Sequence, residues 1–124
     1  MVLTVTLNPA LDALVFVERL RVHAKNIARD KRVFVGGKGF NVAKALAALE
    51  IPVTALGFVG RADAEFFRNA LEPRGIRFAP IPIAGTRTNL KITEIDTGEE
   101  TEINEPGVPV TPAELAALRE AFRA

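Results

Sequence analysis

The 124-residue sequence contains no cysteine, a single histidine, and no apolar run approaching the ~20 residues that a membrane span needs. Without cysteine there is no disulfide framework, zinc knuckle or thiol nucleophile, and His23 alone cannot build a histidine cluster. Redox chemistry and most zinc chemistry are excluded, and no metal ligands are assigned. A surplus of one charge is also missing, since 16 Lys+Arg against 15 Asp+Glu leave a net charge of +1. Such a chain has no long-range field to gather nucleic acid or an anionic membrane, so any basic site must be local. The amino terminus lacks the basic stretch and apolar core of an export signal, which makes the cytoplasm the default location. What is present, 48% hydrophobic and 25% charged residues, is the ordinary composition of one globular domain rather than a disordered chain.

Val2 to Thr6 is a β-branched run ended by Asn8 and Pro9, which predicts a strand and a turn. Asp12 to Val17 and Lys31 to Val35 also read as extended, and the second leads into Gly36-Gly37-Lys38-Gly39. The period then changes: Val42, Leu46 and Leu49, separated by alanines, predict a small-residue helix that Pro52 closes. Val53 to Val59 is almost continuously apolar, the pattern of a strand buried on both faces of a parallel sheet. Asp63 is expected to cap a helix over Ala64 to Leu71, and a strand restarts at Ile76 to Phe78. Thr86 to Ile95 and Glu100 to Asn104 flank Asp96-Thr97-Gly98-Glu99 as a β-hairpin, expected in another sheet. Thr111-Pro112-Ala113-Glu114 is a capping box that opens an amphipathic helix through Leu115, Leu118 and Phe122. That helical pattern is still running at Ala124, with no glycine or proline to stop it, so the expectation is the front part of a longer protein.

Candidate chemistry begins at Gly36 to Asn41, where glycines let the backbone approach a ligand and the following helix offers unpaired N–H groups. The segment is neither a dinucleotide fingerprint, whose third glycine would fall at Val42, nor a P-loop, since Gly39 follows Lys38. It is an anion or polyol site, or a turn that merely lets strand meet helix. On the hairpin, strand alternation sends Arg87, Asn89 and Lys91 to one face. Cation, amide and cation in a row make either a wall for a phosphorylated polar ligand or a solvated strand face. Asp12 is a sugar-hydroxyl acceptor or an edge-strand solubility device. His23 is expected to be exposed and inert. The acidic group from Glu94 to Glu105 is expected to be the solvated outside of the hairpin.

Five segments in this order resemble the ribokinase-like carbohydrate kinases of the phosphofructokinase B family, in the branch of 1-phosphofructokinase and tagatose-6-phosphate kinase. They are Thr4 to Asp12 (TVTLNPALD), Gly36 to Val42 (GGKGFNV), Leu56 to Gly60 (LGFVG), Thr86 to Lys91 (TRTNLK) and Glu100 to Gly107 (ETEINEPG). The resemblance covers residues 1–124 and implies an α/β fold: part of a ribokinase-like, Rossmann-type core with a small β-sheet lid built from about 12–17, 31–35 and 86–104. It implies that Asp12 accepts sugar hydroxyls, that Gly37, Lys38 and Asn41 form the glycine-rich wall, and that Arg87 holds the substrate phosphate. Asn89, Lys91 and Lys25 are implied as helpers.

By the same resemblance the complete enzyme phosphorylates a ketohexose phosphate such as fructose 1-phosphate, with ATP and Mg2+ as cofactors and a homodimer formed through the lid. The family's Gly-Ala-Gly-Asp segment, which carries the catalytic base, has no counterpart here, and Gly60-Arg61-Ala62-Asp63 resembles it only superficially. No catalytic residue is therefore assigned, and the 124 residues alone are expected to be inactive. The alternative is a non-catalytic sugar-phosphate-binding or dimerisation module. One departure stands out: Glu50 occupies a position where the family has Gly or Ser.

Overall fold

The computed structural model describes all 124 residues, Met1–Ala124. In chain order the elements are β1 (Val2–Thr6), β2 (Ala10–Val17), β3 (Asp30–Gly36), α1 (Lys38–Ala48), β4 (Val53–Gly60), α2 (Ala64–Leu71), β5 (Arg77–Ile83), β6 (Arg87–Glu94), β7 (Glu100–Asn104) and α3 (Pro112–Arg123). They form two sheets. The first is parallel, in the order β1-β4-β5, and the second has the order β3-β2-β6-β7.

β4 is central in the parallel sheet and buried along nearly all its length, as its apolar run requires. On one face α1 and α2 deliver Phe40 and Phe67 against Phe78 of β5, with ring centroids 5.3–6.4 Å apart. Phe40 and Phe67 are fully buried, each contributing about 1.5–3 kcal/mol of transfer free energy. On the other face Leu118 of α3 packs with Leu56, Phe58 and Ile83. The capping box of α3 is formed, with Thr111 accepting from Glu114 N–H and Glu114 from Thr111 N–H. No helix is long and apolar enough to cross a membrane.

In the second sheet β2 pairs antiparallel with β3 and parallel with β6, and β7 closes the hairpin. Paired residues share a face, so Ala10, Asp12 and Leu14 lie with Arg87, Asn89 and Lys91. On the opposite face Val33, Ala13, Leu90 and Ile103 run across all four strands.

Three local expectations are corrected. The strand expected to restart at Ile76 to Phe78 is β5, which continues through Pro80 and Pro82 to Ile83. It is an edge strand, where a missing N–H breaks no ladder bond. Asp63 makes no capping hydrogen bond; a 3-10 turn over Arg61–Asp63 leads into α2 instead. The acidic hairpin is not simply solvated. Glu94 accepts from Leu20 N–H at 2.7 Å and from the Thr97 hydroxyl at 2.9 Å, which together hold its pKa below the usual carboxylate value. Glu105 accepts from Thr88 N–H, and Lys91 lies 3.4 Å from Glu100 and 3.7 Å from Glu102.

Glu50 has φ 60, the left-handed conformation. It ends α1 in a Schellman arrangement, with Glu50 N–H donating to Ala47 O at 2.9 Å and Ile51 N–H to Leu46 O at 3.0 Å. A residue with a Cβ is strained there, whereas glycine is not. Glu50→Gly should therefore raise stability by about 0.5–1 kcal/mol, read as a higher midpoint of urea denaturation. An unchanged or lower midpoint would show that the left-handed turn carries no strain.

Candidate functional site

The site forms where the second sheet meets the carboxyl end of β1 and the start of α1. Asp12 and Asn89 are register partners on β2 and β6, and Asn89 Nδ2 donates to Asp12 Oδ1 at 3.5 Å. That bond is at the long limit, so both groups keep capacity for other partners. Asn89 Oδ1 is buried with no partner. Gly36 lies against Asp12 from the other side: a Cβ there would fall 2.3 Å from Asp12 Oδ2. A cleft of about 230 Å³ runs past Asp12, Asn89, Lys91, Glu102 and Asn104. Carboxylate acceptors, carboxamides and one ammonium in a single cleft suit a ligand bearing several hydroxyls.

A second cleft, of about 450 Å³, is lined by Thr6, Asn8, Lys38, Gly39 and Arg87 among others. Gly37 has φ 108, and a Cβ on it would lie 2.7 Å from the Thr6 methyl, so this turn is closed to other residues. The Arg87 fork also serves the fold. It donates to Pro9 O and Asn8 O at 3.3 Å and to Glu105 O at 3.5 Å, tying together two of the chain crossings between the sheets. All three bonds are long and go to backbone carbonyls, and no carboxylate forms an ion pair with the guanidinium.

The sequence-predicted residues therefore divide. Asp12, Asn89 and Lys91 share the first cleft, and Lys38 and Arg87 the second, with Gly37 at the turn beside it. Asn41 is exposed on the first turn of α1 and lines neither. Lys25 does not join them within this chain. It lies beyond the other end of β2, in a separate cleft of about 540 Å³ with Arg19, Arg21 and Arg29.

Thr6, Asn104 and Lys44 escaped the sequence reading as site residues. Lys44 Nζ donates to Val35 O at 2.7 Å, next to the glycine that Asp12 abuts. Burial lowers its pKa first and the Arg74 charge second, while Asp12 opposes both. Its place three residues after Asn41, on the same helix face, was the available signal. No three His, Cys, Asp or Glu side chains group to hold a metal ion.

Residues 6–120 match the model of the pfkB family carbohydrate kinases. The chain belongs to the pfkB family. It is 43% identical over 118 residues to 1-phosphofructokinase of Vibrio cholerae, covering 94% of this chain and 37% of that protein. The structure superposes on phosphofructokinase-2 from Escherichia coli in complex with fructose 6-phosphate with a TM-score of 0.90, at 28% identity, over 98% of this chain and 41% of that one. Ribokinase from Thermotoga maritima, at a TM-score of 0.70 and 23% identity over 86% of this chain and 36% of that one, shares the fold. The parallel sheet is thus part of the pfkB family's ribokinase-like core, and the four-stranded sheet is its lid. The chain spans little more than a third of the length of the pfkB relatives it matches.

Lys44 gives a pH-dependent test of this geometry. A lysine whose folded pKa lies below its usual 10.5 destabilises the fold as pH falls from that value through the folded one. Asp12→Asn removes the one opposing charge, so Lys44 should titrate lower still and the loss of stability should extend to lower pH. Nζ chemical shifts of the two proteins report this directly, and identical titrations would place Asp12 out of electrostatic reach of Lys44.

Proposed function

We propose that these residues form the sugar-phosphate-binding and lid portion of an ATP-dependent kinase acting on fructose 1-phosphate or a related ketohexose phosphate. The observation that carries this reading is the juxtaposition of Asp12 and Asn89 with Arg87, two residues along β6 on the same sheet face. Asp12 accepts hydroxyl protons, Asn89 supplies an amide to the same groups, and Lys91 adds a donor in their cleft. Arg87 presents a planar fork to the phosphate, which a lysine cannot reproduce. Lys38 lines the neighbouring cleft with Gly37 at the turn beside it, Asn41 lines neither cleft, and Lys25 remains a helper of lower rank because its cleft is separate. The relatedness to 1-phosphofructokinase supports a ketohexose phosphate as acceptor and ATP with Mg2+ as donor.

Phosphoryl transfer needs the donor held in line with the accepting hydroxyl and the developing charge neutralised. No group in these 124 residues is assigned as base or nucleotide pocket, and the proposal is that they bind sugar phosphate without turning it over. Calorimetric titration with fructose 1-phosphate and with fructose tests the binding. Arg87→Lys should weaken fructose 1-phosphate about ten-fold or more and leave fructose little changed, because a charge-assisted bond of about 1.5–3 kcal/mol is lost. Equal affinities for the sugar phosphate in both proteins would remove Arg87 from the site.

The lid supports a second copy as partner. The face opposite Asp12 carries the Val33, Ala13, Leu90 and Ile103 row, of which Val33 and Ile103 are exposed, and β3 and β7 are open edges. Sedimentation equilibrium at tens of micromolar should show a homodimer that Ile103→Lys dissociates. A monomer in the unsubstituted chain rejects the lid as a self-association surface.

A further inference from the structure

The Asp12 carboxylate accepts one hydrogen bond within the chain, from Asn89 Nδ2 at 3.5 Å. At that length the bond does not fix the direction of the carboxylate. The backbone beneath it does. A Cβ on Gly36 would stand 2.3, 2.8 and 3.1 Å from Asp12 Oδ2, Cγ and Oδ1, so the whole carboxylate lies against the bare face of that glycine. The glycine is held in turn from the core. The Val35 carbonyl and the Gly36 N–H belong to one planar peptide unit, and Lys44 Nζ, from α1, donates to that carbonyl at 2.7 Å. Lys44 thereby ties the last peptide of β3, where the lid strand ends, to the helix that follows it. Little else favours an ammonium at this position. Burial disfavours its charge and Arg74 repels it, while Asp12 alone attracts it. A lysine kept against those costs serves something other than stability.

We propose that Lys44 is a positioning residue for sugar recognition: by holding the Val35–Gly36 peptide it sets the surface on which the Asp12 carboxylate rests, and so aims Asp12 at the ligand hydroxyls. Lys44 lines neither the Asp12 cleft nor the Arg87 cleft, so it acts through Asp12 and not on the ligand. The effect on sugar binding rests on the reading of Asp12 as a hydroxyl acceptor; the mechanical link from Lys44 to Asp12 does not.

The experiment has two arms, both on the isotopically labelled 124-residue chain. In the first, without ligand, NMR follows the side-chain amide of Asn89, which donates to Asp12. Lys44→Met, which removes the donor and the charge, should displace this signal, and Lys44→Arg, which keeps a cationic donor, should return it towards its place in the unsubstituted chain. An Asn89 amide that does not move in Lys44→Met overturns the link. In the second arm fructose 1-phosphate is titrated. Lys44→Met should weaken binding about ten-fold and Lys44→Arg by no more than about two-fold. The ten-fold loss should vanish when Lys44→Met is added to Asp12→Asn and persist in full when it is added to Arg87→Lys. A general loosening of the fold adds to both, so additivity with Asp12→Asn overturns the proposal. Melting temperatures check each variant, and if Lys44→Met unfolds, Lys44→Gln, which is too short to reach the carbonyl and carries no charge, replaces it in both arms. An unsubstituted chain that does not bind fructose 1-phosphate, with the Asn89 amide still displaced by the Lys44 substitution, rejects the sugar reading and keeps the link.

Discussion

Contact between the carboxyl end of β1 and the β3–α1 turn is the constraint on which the rest of the structure depends. Backbone passes so close to side chain here that three glycines have no room for a Cβ: Gly36 is against Asp12, Gly37 against the Thr6 methyl and Gly39 against the Thr6 hydroxyl. This closeness lets α1 lie low on the parallel sheet and drives Phe40 into the core beside Phe67 and Phe78. It also brings the first turn of α1 to the cleft lined by Lys38, Gly39 and Arg87. A methyl group at any of the three positions would have to push α1 off β1 or displace Asp12.

The two sheets divide the chemistry between them. The lid supplies groups that suit hydroxyls, Asp12, Asn89 and Asn104, while the joint between the sheets supplies positive charge through Lys38 and Arg87. Arg87 belongs to both roles, since its fork holds carbonyls of the Asn8–Pro9 and Glu105 crossings and faces the cleft at α1.

Electrostatics behind the site follow from burial rather than from any motif. Lys44 is half-buried, bonded to Val35 O, and balanced between the repulsion of Arg74 and the attraction of Asp12. Glu94 stands at the opposite end of the lid, its carboxylate joining Leu20 to the hairpin turn. Both residues sit in stretches whose local pattern reads as ordinary helix surface and ordinary acidic strand. Their roles arise from partners 9 and 74 residues away in sequence, which no local pattern contains.

The sequence by itself determined the element types and the residues able to serve a ligand. The apolar run of β4, the alternation on β6, the glycine cluster before α1 and the capping box of α3 each follow from local sterics and hydrophobic period. Family membership was also legible, because five spaced segments carry it. Local rules failed at β5, where two prolines are tolerated only because the strand lies on an edge, and at Asp63, where a 3-10 turn replaces a cap. Only the tertiary structure decided which candidates meet. It put Asp12 beside Asn89 through parallel pairing of strands 77 residues apart and consigned Lys25 to a separate cleft. It also left the Thr6 hydroxyl without a partner beneath α1. Periodicity records which way a side chain points from its own strand or helix, whereas a site depends on which other strand or helix arrives opposite it.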